Sequence, residues 1–151
     1  MQSISKFMEQ DHDRLDDLFK QFKELKASDQ NKANDIFSEF KTGLQKHILW
    51  EEEILFPMFE NKTGMFDTGP TAVMKMEHKE IKNYLNEIFT NLKNGNTQTD
   101  ELEKGLIEVL SEHNLKEENI LYPMLDHSVN NVELEEVFLK IKDLSPENYN
   151  S

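Results

Sequence analysis

His47 to Pro57 reads HILWEEEILFP, and sixty-six residues later the chain reads HNLKEENILYP, from His113 to Pro123. The same offset carries His12 onto His78, in EQDHDRL and KMEHKEI. A chain that repeats its histidines and carboxylates at one offset is repeating a site. The site this pattern implies is a pair of metals held inside a four-helix bundle.

The helices follow from apolar spacing. Ile4, Met8, Leu15, Leu18 or Phe19, Phe22 and Leu25 form a helical stripe from Ile4 to about Lys26, with Asp11 or His12 filling its missing turn. Ser3 or Ser5 could cap its start. Ala27 to Lys32 is polar and reads as a turn. A second helix is expected from about Ala33 to Asn61, with Phe37, Phe40, Leu44, His47, Glu51, Ile54 or Leu55 and Met58 on one face. Pro57 lacks an amide proton and should kink its last turns. Lys62 to Pro70 reads as a loop, and Pro70 suits a first helical position.

The third helix is expected through Met74, His78, Ile81, Leu85, Ile88 and Leu92, stopping at Asn94-Gly95. Thr97 or Thr99 can cap a fourth, with Leu102, Leu106, Val109, His113, Glu117, Ile120 and Met124 on its face. A polar break, Asp126 to Asn131, precedes a short fifth helix from about Val132 to Leu144, and the tail after Pro146 should fray.

Short connections favour antiparallel neighbours, so the expected fold is an all-α, up-down-up-down four-helix bundle with a short C-terminal fifth helix. Its limits are about 4–126 for the bundle and 132–144 for the last helix, within one domain spanning 1–151. Each successive pair of the four histidines is equidistant from the turn joining its helices: about Asp29, Lys62 and Gly95 are the midpoints. That places His12, His47, His78 and His113 at one height.

Composition narrows the function. A net charge of −13 argues against nucleic acid or an anionic membrane as partner. With no cysteine there is no disulfide, thiolate metal site or cysteine nucleophile. Met1 to Gln10 is short, mixed and polar, unlike a signal peptide, and no apolar run reaches membrane-spanning length, so the expected location is cytoplasmic.

Residues four apart share a helix face. His47 with Glu51, and His113 with Glu117, therefore present an imidazole and a carboxylate to the bundle axis, while His12 and His78 add one imidazole each. Four nitrogen donors and two carboxylates suit iron, manganese or zinc. Burying these groups in one layer without a compensating cation would be strongly destabilising. The choice of Glu51 over Glu52 and of Glu117 over Glu118 rests on helix phase, the i+5 residue being rotated a further 100° or so. Glu118 stands as a substitute for Glu117, and Glu53 should face solvent.

The pattern H-x34-H-x3-E-x26-H-x34-H-x3-E resembles the hemerythrin-like, or HHE cation-binding, domain over about Ile4 to Asp126. The resemblance implies that His12, His47, Glu51, His78, His113 and Glu117 ligate a non-haem di-iron centre, two iron ions with an oxo or hydroxo bridge. Oxygen-carrying members have a further histidine where this chain has Met74, and their last carboxylate lies at the position of Glu118. The four-histidine, two-glutamate set is instead similar to the hemerythrin-like domain of repair proteins for iron centres that act in nitrosative stress. Those proteins carry an additional N-terminal region with cysteines.

The expected function is binding of oxygen, nitric oxide or peroxide at a carboxylate-bridged di-iron centre, for sensing, buffering or stress response. One alternative is a redox enzyme or an iron-donating repair protein using the same site, and another is a structural site for a different metal such as zinc. A signalling or redox role would need a protein partner. Asp16, four residues after His12, could contact that histidine but reads better as solvated. Tyr122, Trp50 and Tyr84 could line the pocket, although aromatics at these spacings are usually packing residues. Phe19, Phe22, Phe37, Phe40, Ile81 and Leu85 should form a dry wall near the metals. Met58 and Met124 read as core fillers, and His127 as exposed.

Overall fold

The computed structural model describes residues 2–144. All regular structure among them is helical. α1 (Ile4–Lys26) is followed by α2 (Gln30–Trp50), which passes through a π-helical turn (Glu51–Leu55) into α3 (Phe56–Thr63). α4 (Pro70–Lys93) is followed by α5 (Asp100–Lys116), a second π-helical turn (Glu117–Leu121) and α6 (Tyr122–Ser128), and α7 (Asn131–Asp143) closes the described chain. The expectation for the tail after Pro146 lies outside the described residues.

The helix ends have identifiable causes. The Ser3 hydroxyl accepts from the Lys6 amide at the start of α1. The Ile4 and Ser5 amides donate to the Asp126 carboxylate across the bundle, at 2.8 and 3.3 Å. α2 starts three residues earlier than its apolar pattern suggests, because Asp29 caps it by accepting from the Lys32 amide. α3 ends on Gly64 in the left-handed conformation (φ 77°). Pro70 occupies the first position of α4. Thr99 stands at the N-cap of α5, where its hydroxyl donates to the Glu103 carboxylate. α7 begins with a reciprocal Asn130–Glu133 capping box.

The two prolines do more than kink their helices. Pro57 and Pro123 have no amide hydrogen, and each ring crowds the carbonyl four residues back. Directly before each, the ladder widens: the Phe56 amide donates to the Glu51 carbonyl and the Tyr122 amide to the Glu117 carbonyl, five residues back. The helix therefore runs on through the proline, and the widened turn begins at the glutamate of each motif.

α1 packs along α2 and α4 along α5, with further contacts of α2 on α4 and α1 on α6, while α7 rests on the first π turn. Gly43 permits close approach of α1 to α2, since a Cβ there would meet Leu15 Cδ2 at 2.8 Å. Two apolar clusters fill the bundle. One holds Leu15, Phe19, Phe22, Phe37, Phe40, Leu44, Ile81, Leu85 and Leu106. The other holds Ile4, Met8, Leu55, Phe56, Met74, Leu121 and Tyr122, with Met58 and Met124 packed against it. The histidines and glutamates of the repeated motifs lie in sequence between the two sets. No helix among the described residues is long and apolar enough to cross a membrane.

Candidate metal centre

α1, α2 and the turn after it, α4, and α5 and the turn after it bring His12, His47, Glu51, His78, His113 and Glu117 together, and none is more than 2 % exposed. Ligand atoms of Glu51, His78, His113 and Glu117 all lie within 4.8 Å of one another, as do those of His12, His47 and Glu117. The two groups share Glu117. The rings pair within each half, His12 with His47 at 4.7 Å between centroids and His78 with His113 at 4.9 Å.

Each imidazole has its Nδ1 held by a carboxylate outside the cluster. His12 Nδ1 lies 2.7 Å from Glu118, His47 Nδ1 2.8 Å from Asp11, His78 Nδ1 2.6 Å from Glu52 and His113 Nδ1 2.9 Å from Glu77. Ionised carboxylates only accept, so every Nδ1 must carry a hydrogen, and in the neutral ring Nε2 then turns its lone pair inward. Those lone pairs face carboxylate oxygens: His12 Nε2 is 3.2 Å from Glu117, His78 Nε2 3.0 Å from Glu51 and His113 Nε2 3.3 Å from Glu117. The buried Glu117 Oε2 has no hydrogen-bond partner. Donor atoms arranged in this way could hold a metal ion.

Protonation behaviour follows from the same arrangement. Burial lowers the affinity of His12 for a proton, but its hydrogen bond to Glu117 and the charge of that group outweigh this, and its pKa rises to about 9. Burial likewise opposes His78, whose bonds to Glu51 and Glu52 raise it to about 9. Burial, then the charge of Glu117, pushes the Glu51 carboxyl above the ordinary range. The outer Asp11, Glu52 and Glu77 are held below it: burial acts upward, but their bonds to histidine (and, at Glu77, to Lys116) prevail. Without a metal, the cluster gathers protons as its positive charge.

Of the residues weighed beside these six, Tyr122 alone departs from its sequence reading as packing, while Glu117 inward and Asp16 outward agree with theirs. Glu118 is the outer partner of His12, and Glu117 faces inward. Asp16 is exposed, while Trp50 stands beside His47 at 6.2 Å between rings. Tyr122 has no exposure, and its hydroxyl enters the cluster, 2.8 Å from Glu51 Oε2 and 2.9 Å from Glu117 Oε1. In a regular α-helix a residue five beyond Glu117 would point about 140° away. The π turn brings it back over the glutamate. Tyr84 stays outside, against Gly105, and Glu53 and His127 are exposed. Asp11 and Glu77 were missed by spacing, yet the sixty-six-residue offset relates them, as it relates Glu52 to Glu118.

Comparison with known proteins adds the family. Residues 3–125 match the model of the hemerythrin HHE cation-binding domain. The iron-sulfur cluster repair protein YtfE of Escherichia coli O81 (strain ED1a) is 37% identical over 90 residues, which cover 53% of this chain and 40% of that protein. The proteins of the same name from Escherichia coli O1:K1 / APEC and Escherichia fergusonii are 36% identical over the same shares. The match therefore spans less than half the length of these relatives. No solved structure matches the chain. With the match running across nearly all the described helices, the chain belongs to the hemerythrin HHE cation-binding domain family.

Proposed function

We propose that His12, His47, Glu51, His78, His113 and Glu117 hold two iron ions, and that the centre binds oxygen, nitric oxide or peroxide in a stress response. The observation that carries this reading is the inward ring of lone pairs, with Nδ1 of every histidine committed to an outer carboxylate. Glu117 reaches both groups of ligands and suits a bridging role. In this reading the four long helices alternate in direction, up-down-up-down, within a single domain of a cytoplasmic protein. The bound metals supply Lewis acidity and one-electron chemistry. The chain's own residues do the rest: the two apolar clusters exclude water, and the outer carboxylates fix the imidazole tautomers and orientation.

Likeness to proteins named for repair of iron-sulfur clusters favours a second reading, in which the same site donates iron to damaged centres. Metal content and ultraviolet-visible spectra, taken as isolated, after anaerobic reduction and after addition of each gas, separate the two. Reversible spectral change at constant iron supports binding. Iron passing to an apo-acceptor supports repair. Zinc as the resident metal, or no metal in a folded protein, would remove both.

A further inference from the structure

Tyr122 has no counterpart in the other half of the centre. The offset places Phe56 at the same position of the first motif, where its ring stacks on His78, 5.7 Å between centroids and 8° from parallel. Phe56 offers no donor atom. The Tyr122 oxygen, by contrast, is ringed by four: Glu51 Oε2 at 2.8 Å, Glu117 Oε1 at 2.9 Å, His47 Nε2 at 3.1 Å and His12 Nε2 at 3.3 Å. A phenol has one hydrogen to give. Two carboxylate oxygens and two imidazole Nε2 atoms converge on it, and with neutral rings these are more acceptors than one O–H can satisfy. Donor atoms that share an octahedral ion with bonds of about 2.1 Å stand about 3 Å apart when adjacent. The spacing around Tyr122 is that of neighbouring ligands on one ion.

We propose that the Tyr122 phenol oxygen is a further metal donor, bound only to the ion of the His12–His47 half, which makes the two metal positions chemically unequal. This rests on the di-iron reading above. On loading, the phenol hydrogen leaves to solvent and the oxygen binds as phenolate, a hard anionic donor that favours the ferric state. The His12–His47 ion is then the more readily oxidised of the two. The His78–His113 ion, beside Phe56, has no such donor and keeps the position at which a small molecule binds.

The test uses the full chain loaded with iron and oxidised. Wild type should show a visible phenolate-to-iron absorption band and resonance Raman ring modes that shift when tyrosine is ring-deuterated. Tyr122→Phe should lose both and retain its iron, while Tyr84→Phe keeps them. Should Tyr122→Phe fail to fold, the isotope shift in a Tyr84→Phe/Tyr149→Phe protein, whose one remaining tyrosine is Tyr122, decides the matter. Iron-loaded wild type without tyrosine-sensitive modes, or Tyr122→Phe with an unchanged band, overturns the assignment and leaves the di-iron reading standing. A folded wild type that takes up no iron overturns both.

Discussion

The His12–His47 and His78–His113 halves of the cluster correspond down to their outer partners. Asp11 holds His47 as Glu77 holds His113, and Glu118 holds His12 as Glu52 holds His78. The sixty-six-residue offset relates every one of these residues. The halves part company at the residue before each proline, Phe56 in one motif and Tyr122 in the other. They also differ at the rim, where Arg14 pairs with Asp11 and Lys116 with Glu77, both on partly exposed side chains. The repeat keeps the clustered histidines and glutamates with their outer partners, and varies the aromatic residue before each proline and the cation at the rim.

The largest expected effect comes from removing the carboxylate common to both groups. Glu117→Ala should abolish loading of both ions, an affinity loss beyond about 100-fold, whereas His47→Ala should impair the His12–His47 position and leave the other able to bind. Metal analysis after equilibrium dialysis reads the difference; equal loss in the two variants would break the two-half description. Next come the outer partners. Asp11→Ala and Glu77→Ala should each lower metal affinity by about 10–100-fold, and by similar factors if the halves are equivalent in this respect.

The third prediction concerns pH. In the metal-free protein His12 and His78 have pKa values raised from 6.5 to about 9. Their contribution to stability is whole below about pH 6.5 and is lost as pH rises through about 9, because the folded state binds these protons more tightly. Urea melts of metal-free protein should show this fall, and metal-loaded protein, with Nε2 occupied, should not. Phe56→Tyr sharpens the comparison from the other side. It puts a second phenol beside the His78–His113 half and should cost about 1–3 kcal/mol in metal-free protein if the new hydroxyl is left unpaired, a cost that loading with iron should reduce. Thermal melts with and without metal test it. The smallest effect is expected at the periphery. Asp126→Ala removes the carboxylate that caps α1 and should cost about 1 kcal/mol, lowering Tm and leaving metal content unchanged.

Much of this was legible in the chain. Apolar spacing located every long helix; of the two expected caps for α1, Ser3 and Ser5, Ser3 is the one observed, and the expected first position at Pro70 and stop at Asn94-Gly95 coincide with those observed. Boundaries shifted where a polar cap outran the apolar pattern, as at Asp29. The six buried side chains of the cluster were readable because histidine and glutamate recur on faces that otherwise carry the core. Tyr122 was not, since reading its direction required knowing that Pro123 would be accommodated by a π turn rather than by a bend.

The sequence by itself determined the helical class, the height of the four histidines and which histidines and glutamates meet inside the bundle, because helix periodicity and chain length alone fix which residues can meet. Only the tertiary structure decided how those side chains are oriented. Tautomers depend on outer carboxylates from neighbouring helices, such as Glu118 of the second π turn on His12 of α1. The place of Tyr122 depends on a local change of helix pitch that brings a side chain out of phase back to the centre. Both are contacts across space, set by how the helices pack, and spacing along one helix cannot specify them.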